Sequence, residues 1–180
     1  KFVDDLMYCI KCGNLTNKEV PEGDNRNREV CIKCGYIHYE NPKIVVGVLP
    51  ILNDNILLCK RDINPGLGKW TVPSGFMELN ESLEEGALRE SKEEANLDIK
   101  ILKLYCTYSL PRVGQVYFLY LGKILNDDYA AMDETSEVKL FKYDKIPKDL
   151  IAFSSVSFFL ERYAEDYNND KSFLFHSNFE

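Results

Sequence analysis

The side chains best placed to do chemistry are the carboxylates between Gly75 and Leu97. Glu78, Glu81, Glu84, Glu85, Glu90, Glu93 and Glu94 share this stretch with only two cations, Arg89 and Lys92. On a helix advancing about 100° per residue, Glu90, Glu93 and Glu94 fall within one arc of about 100°. Arg89 stands four residues before Glu93 and can pair with it, whereas the i±3 and i±4 neighbours of Glu90 and Glu94 include no cation. Each like-charge pair costs a few tenths of a kcal/mol in an isolated helix. Two readings follow. One is a solvated acidic face; the other is a seat for a hard divalent cation, Mg²⁺ or Mn²⁺, which takes oxygen ligands and keeps positions open for water and phosphate.

A second group is built from sulfur. Cys9-Ile10-Lys11-Cys12 and Cys31-Ile32-Lys33-Cys34 are separated by 18 residues, and Gly13 and Gly35 follow them directly. Two thiolates three positions apart reach one ion from a tight turn, and two such pairs close a tetrahedral Zn²⁺ site of structural type, the spacing of a zinc ribbon. The alternative is four ordinary buried thiols. His38 is read as a loop or packing residue, the polar stretch 14–29 as the ribbon's long loop, and Cys59 and Cys106 as small core residues inside strand patterns.

The elements that must position these groups come from composition and periodicity. A chain of 180 residues, 45% hydrophobic, holds one ordinary domain plus a small appendage. Its net charge of -7 argues against a nonspecific grip on nucleic acid, and an acidic protein that binds an anionic substrate has to recruit a cation. No apolar run approaches the roughly 20 residues of a membrane helix. The start KFVDDLMYC lacks the order of a secretory signal, so a cytoplasmic setting is expected. KIVVGVLPIL, a turn at Asn53-Asp54-Asn55 and ILLCKR read as a hairpin, and KWTVPSGFME as a strand entering a glycine loop. A helix to Asn96 follows, then long strands over 97–110 and 114–124, a shorter one from Glu137, and a closing helix over 154–167 whose Val156, Phe159, Leu160, Tyr163 and Tyr167 form a core stripe. The expected division is 1–40 zinc ribbon, 41–167 main domain, and a disordered tail over 168–180.

Gly75, five residues, Glu81, seven residues, then Arg89-Glu90-Ser91-Lys92-Glu93-Glu94 and Leu97 resemble the Nudix box, G-x5-E-x7-R-E-U-x-E-E-x-G-U with U a bulky aliphatic. Two positions depart from it: Ser91 stands where an aliphatic is usual and should loosen helix packing slightly, and Asn96 stands where glycine is usual but tolerates the left-handed conformation. The resemblance implies an α/β fold, a Nudix α/β/α sandwich with a mixed sheet behind a small N-terminal zinc ribbon. It implies hydrolysis of a nucleoside diphosphate linked to another group, with Glu90 and Glu94 as metal ligands beside the Ser74 carbonyl. Glu93 and Arg89 brace one another, Glu93 doubling as a ligand, and Glu81 supports the site or adds a ligand. A later glutamate serves as ligand or general base; Glu137, just before the strand VKLF, ranks first and Glu134 second. Clustering should raise the carboxylate pKa values until metal arrives, so activity should fall in acid.

The likeness extends outside the box. A ribbon before a Nudix domain is similar to NADH pyrophosphatases, but their SQPWPFPxS signature is absent from LKLYCTYSLPRVGQ. PEGDNRNREVC, GYIHYENPKIVVG, LPRVGQVY, SEVKLF and IAFSSV resemble instead the ribbon-bearing subgroup that includes the plant chloroplast FAD and ADP-ribose pyrophosphatase. That resemblance implies a small dinucleotide substrate and a homodimer, while the charge and the short apolar runs lead to the expectation of no nucleic-acid or membrane partner. Trp70 and Phe76 are candidate rings for a base, Arg61 and Arg112 candidate cations for the diphosphate, and Gln115 and Tyr117 further contacts. Against these stand core packing for each ring and a surface ion pair for each arginine. The rival function is a non-catalytic nucleotide sensor whose ribbon binds nucleic acid or protein.

Overall fold

A computed structural model describes residues 7–169 and 175–178. The chain divides into two compact units, Lys1–Asn41 and Pro42–Glu180. In the first, β1 (Thr16–Glu19), β2 (Arg28–Cys31) and β3 (Ile37–His38) form a three-stranded antiparallel sheet in that order. Each CxxC pair turns tightly before its glycine: the Gly13 N–H donates to the Cys9 carbonyl at 2.8 Å and the Gly35 N–H to the Cys31 carbonyl at 3.0 Å. Both glycines hold a left-handed φ, 70° and 68°, which explains why glycine stands there.

The second unit is built on β4 (Lys43–Leu52), β5 (Asn55–Arg61), β6 (Trp70–Thr71), β7 (Ser74–Phe76), α1 (Leu83–Ala95), β8 (Ile99–Leu110), β9 (Gln115–Ile124), β10 (Thr135–Phe141), α2 (Ser154–Asn169) and β11 (Phe175–Asn178). Its sheet runs β10-β5-β4-β9-β8-β11, with β6 added on β5 and β7 on β4. The β4–β9 and β8–β11 pairs are parallel and the others antiparallel, so the sheet is mixed. The hairpin turn falls where the sequence places it, with Asn53 and Asp54 at φ 49° and 62°.

Alternation along the central strands sends side chains to opposite faces. Val46, Val48 and Tyr120 pack with Ala87 of α1, while Leu49, Leu119, Ile56 and Leu58 pack with Val156, Phe159 and Leu160 of α2. Helices therefore cover both faces, the α/β/α sandwich the sequence leads one to expect. Burying each of these side chains contributes about 1.5–3 kcal/mol. Cys59 and Cys106 are both buried in the core. Among the described residues no helix is long and apolar enough to cross a membrane.

The tail departs from expectation. Asn168 and Asn169 complete α2, and 175–178 form β11, pairing in parallel with Cys106–Ser109 rather than staying disordered. Polar composition argues against a buried strand, but an edge strand needs only a row of free backbone groups to pair with, which β8 offers. Residues 170–174 and 179–180 lie outside the described residues.

Candidate active site

The acidic helix is set in place at both ends. Ser82 caps α1: its Oγ accepts from the Glu85 N–H at 3.2 Å, and the Glu85 carboxylate accepts from the Ser82 N–H at 2.7 Å, a reciprocal capping box. At the far end Asn96 adopts φ 50°, ψ 35°, the left-handed cap its side chain tolerates. Ser91 is fully buried and satisfied, its Oγ donating to the Ala87 carbonyl at 2.7 Å.

The carboxylates face β7. A Cβ on Gly75 would overlap the Glu90 carboxylate, so glycine there is what allows the acid to lie against the loop backbone. Glu94 is only 6% exposed, and its Oε2 accepts from the Ser74 N–H at 3.3 Å. Arg89 is the hub that holds the rest. It makes a two-pronged contact with Glu81 at 2.9 and 3.0 Å, reaches Glu90 at 2.7 Å and Glu93 at 3.0 Å, and donates to the Phe76 carbonyl at 3.1 Å. Glu90 thus has a cation after all. Helical spacing alone assigns it none, because adjacent residues do not face each other on a regular helix, but the long arginine folds back across its neighbour. Gly86 helps this arrangement: a Cβ there would sit 2.6 Å from Glu81 Oε1.

Charge is concentrated where water is scarce. Burial, then the neighbouring Glu90 carboxylate, pushes the Glu94 acid up to about 8, against the Ser74 N–H and Arg61, with Glu134 adding to the rise. Burial also raises Glu90, against the Arg89 contact. Arg89 holds Glu81 below the usual carboxylate range. A buried carboxylate pushed toward neutrality is the donor a divalent cation would return to its charged form. Glu90 and Glu94 could supply two oxygen-bearing groups, and the remaining positions would fall to backbone, water or substrate, which suits Mg²⁺. Among the described residues, only the cysteines bring three or more ligand atoms within 4.8 Å of one another.

Glu134 and Glu137 part company. Glu134 holds φ 58° immediately before β10, and its charge bears on both Glu90 and Glu94. Glu137, ranked first on sequence, is half exposed beyond a register shift in the β10–β5 ladder and pairs with Lys60 at 3.4 Å. The irregularity at the strand's start separates the two, and strand alternation read from sequence cannot show it.

The expected substrate contacts also sort unevenly. Trp70 is buried, its ring edge-on to Phe141 at 5.0 Å, so it belongs to the core and not to a base clamp. Phe76 is 49% exposed, with the Lys43 ammonium 5.3 Å from its ring centre. Arg61 lies over Phe153 at 5.1 Å, donates from Nε to the Pro65 carbonyl at 2.7 Å, and bears electrostatically on both Glu94 and Tyr117. The Tyr117 hydroxyl donates to Gln115 Oε1 at 3.2 Å. Arg112 is exposed on the turn Pro111–Val113. Lys43 and Phe153 are neighbours that sequence reasoning missed, since neither carries a spacing signal. A cavity of about 500 Å³ lined by Asn53, Asn55, Lys142, Tyr143 and Tyr163 sits at the opposite ends of β5 and β10 from Arg61 and Thr135, and holds none of the expected site residues.

In the ribbon the four sulfurs converge. Cys9 Sγ lies 3.7 Å from Cys34 Sγ, and Cys12 Sγ 3.4 Å from Cys31 Sγ, near the roughly 3.8 Å edge of a tetrahedron with Zn–S of about 2.3 Å. The N–H groups of Cys34 and Lys33 hold the Cys31 thiol down to about 6, while burial and the neighbouring thiols push Cys34 up to about 12, so without an ion the four sulfurs cannot all carry charge. His38 is the second residue of β3, outside this sulfur group.

Residues 41–160 match the NUDIX domain family and residues 7–40 the Nudix N-terminal zinc-ribbon family. The chain belongs to the Nudix family, in its ribbon-bearing form. It resembles a solved NUDIX hydrolase from Nitrosomonas europaea at 44% identity and a TM-score of 0.90, over 96% of this chain and 99% of that one. Among curated relatives, an ADP-ribose pyrophosphatase from Methanocaldococcus jannaschii is 32% identical over 63% of this chain and 69% of its own length. An NAD-capped RNA hydrolase NudC from Vibrio atlanticus is 29% identical over 79% of this chain and 51% of its own length. The chain thus spans about half the length of that NudC relative.

Proposed function

We propose that this protein is a divalent-metal-dependent pyrophosphatase acting on ADP-containing dinucleotides, ADP-ribose first and FAD second. The observation that carries this reading is the buried Glu94, pushed up to about 8 beside Glu90 on a helix braced by Arg89. An acid buried next to another acid makes sense if both serve a cation that a diphosphate also touches.

Glu90 and Glu94, with the Ser74 carbonyl that the family resemblance suggests, would hold Mg²⁺ or Mn²⁺, which would supply charge neutralisation at the diphosphate and a lowered pKa for attacking water. The chain's own residues do the rest. Glu134 accepts the water's proton as its oxygen bonds to phosphorus; the bridging P–O bond breaks, leaving two monophosphates. Arg61, whose field already reaches Glu94, offsets charge on the diphosphate. Phe76 offers an exposed ring to a base, with Lys43 beside it. Arg89 keeps Glu81, Glu90 and Glu93 in register. In the ribbon, Cys9, Cys12, Cys31 and Cys34 hold Zn²⁺.

The name of the M. jannaschii relative favours ADP-ribose. Those of the NudC relatives point to a capped RNA, but the net charge of -7 weighs against a grip on an RNA body. The test is incubation of purified protein and Mg²⁺ with ADP-ribose, FAD, NADH, NAD-capped RNA and nucleoside triphosphates, with products identified. AMP from ADP-ribose is expected, and Glu94→Gln should lower kcat on the order of 10³-fold with the fold intact. Nucleotide binding with no product from any substrate would favour the sensor reading instead.

A further inference from the structure

The next-to-last position of the Nudix box is glycine where this chain has Asn96, and the structure gives that asparagine something glycine lacks. Its Nδ2 donates to the Asp128 carbonyl at 3.0 Å, 32 residues away in the loop between β9 and β10. Asn126 answers from the other side: its Nδ2 donates to the Asn96 carbonyl at 2.8 Å and to Asp128 Oδ1 at 2.7 Å, while its Oδ1 accepts from the Asp98 N–H at 2.9 Å. The loop then continues up the end of α1 rung by rung. The Ala130 N–H donates to the Ala95 carbonyl at 3.1 Å, and the Met132 N–H to the Glu94 carbonyl at 3.1 Å. Two residues further lies Glu134, its carbonyl fixed by the Asp62 N–H at 2.8 Å and its charge bearing on Glu90 and Glu94.

We propose that Asn96 is a positioning residue: by tying the β9–β10 loop to the end of α1, it sets the register of the ladder that delivers Glu134 to the metal-binding carboxylates. This rests on the reading of Glu134 as the general base. The logic is geometric. A loop held only by its two strand ends slides along a helix terminus, whose last carbonyls accept from any N–H that reaches them. Residues 128, 130 and 132 meet 96, 95 and 94 in step, and a slip of one residue would turn Glu134 away. Glu134 itself holds φ 58°, a conformation that non-glycine residues keep only where their surroundings impose it. The Thr135 N–H donates to the Met132 carbonyl at 3.1 Å and closes the turn that holds Glu134 so, and Asn96 and Asn126 anchor the loop that leads into that turn.

The substitution that isolates this role is Asn96→Gly. Glycine adopts the left-handed cap at least as well as asparagine, so the helix end survives while the side-chain tether is lost. With ADP-ribose and Mg²⁺, kcat should fall roughly 5- to 50-fold with KM and thermal midpoint little changed. Glu134→Gln should fall further, and the double variant should be no slower than Glu134→Gln alone, because Asn96 acts through Glu134. A readout independent of turnover is amide hydrogen exchange: in Asn96→Gly the Ala130 and Met132 amides should exchange at least tenfold faster, with those inside α1 unchanged.

Unchanged exchange at Ala130 and Met132 overturns the tether whatever the activity. Additive losses in the double variant, or a fall in kcat that tracks a fall in thermal midpoint, reduce Asn96 to a structural cap. Full activity in Glu134→Gln removes Glu134 as the base, and with it the positioning role, whereas a slow Glu134→Gln beside an unimpaired Asn96→Gly removes the tether alone.

Discussion

The ribbon and the acidic helix both gather groups suited to a cation, and they do so in opposite ways. The ribbon brings four sulfurs within 4.8 Å of one another from two short turns in sequence, leaving no position for a substrate. The helix offers Glu90 and Glu94, ties Glu90 and the surrounding acids to Arg89, and would leave the rest of a coordination sphere to whatever arrives. A site that saturates its ion from local sequence stabilises a fold; one that stays short of ligands is free to do chemistry. The energetic signs differ as well. In the ribbon backbone N–H groups hold the Cys31 thiol down while burial and the neighbouring thiols push Cys34 up to about 12, whereas at the helix burial and Glu90 both oppose charge on Glu94.

The largest effect expected from this contrast is on zinc removal. Binding energy at a four-cysteine site is folding energy, on the order of 10 kcal/mol. Stripping zinc with a thiol-compatible chelator while replenishing Mg²⁺ should abolish the β1–β3 sheet, read as loss of dispersed amide signals for 7–40, and leave hydrolysis of ADP-ribose within about twofold. Loss of turnover in step with the ribbon would erase the distinction. A smaller effect should follow at the helix: in Gly75→Ala the new methyl meets the Glu90 carboxylate. Displacing that acid should weaken Mg²⁺ binding and lower kcat by roughly 10- to 100-fold, as loss of ligand orientation does elsewhere. Isothermal titration with Mn²⁺ checks the first and steady-state kinetics the second.

What was legible in the sequence follows the same division. Both cysteine pairs and the left-handed Asn96 are read from neighbours a few residues apart, and the structure places them as the spacing suggests. The sandwich is carried by the resemblance of the box to the Nudix family, and the strand and helix patterns along the chain agree with it. What escaped reading depends on distant chain. Trp70 looks like a ring at the mouth of the box loop until Phe141 is found against it. Glu137 looks better placed than Glu134 until the irregular start of β10 turns it toward Lys60. Arg89 supports Glu90 because a side chain reaches where helical arithmetic does not. The tail seemed too polar to fold, yet strand pairing needs backbone only.

The smallest effect is the one that tests the electrostatics directly. Without divalent cation, Glu94 is held at about 8, above its ordinary value of 4.5, so the folded protein binds more protons than the unfolded chain between those limits. Since ΔG of unfolding changes with pH in proportion to protons bound by the unfolded state minus those bound by the folded state, Glu94 makes the fold lose stability as pH rises from about 4.5 to about 8. At about 1.4 kcal/mol per unit the full shift corresponds to roughly 5 kcal/mol, and a loss of about 2–5 kcal/mol across that window is expected. Glu81, held low by Arg89, acts with the opposite sign and weakens the fold as pH falls through the acid range, so the comparison has to be wild type against Glu94→Gln. Trp70, the chain's single tryptophan, reports this unit's unfolding in urea. In buffer free of Mg²⁺ and Mn²⁺ but with zinc retained, the wild-type midpoint should drop between pH 5 and pH 8, Glu94→Gln should flatten that drop, and Mg²⁺ should restore the wild type at pH 8 while leaving the variant unmoved. Parallel curves for the two proteins would mean that Glu94 is solvated as an ordinary surface acid, and the contrast between a closed site that fills its own coordination sphere and an open one waiting for a cation would be lost.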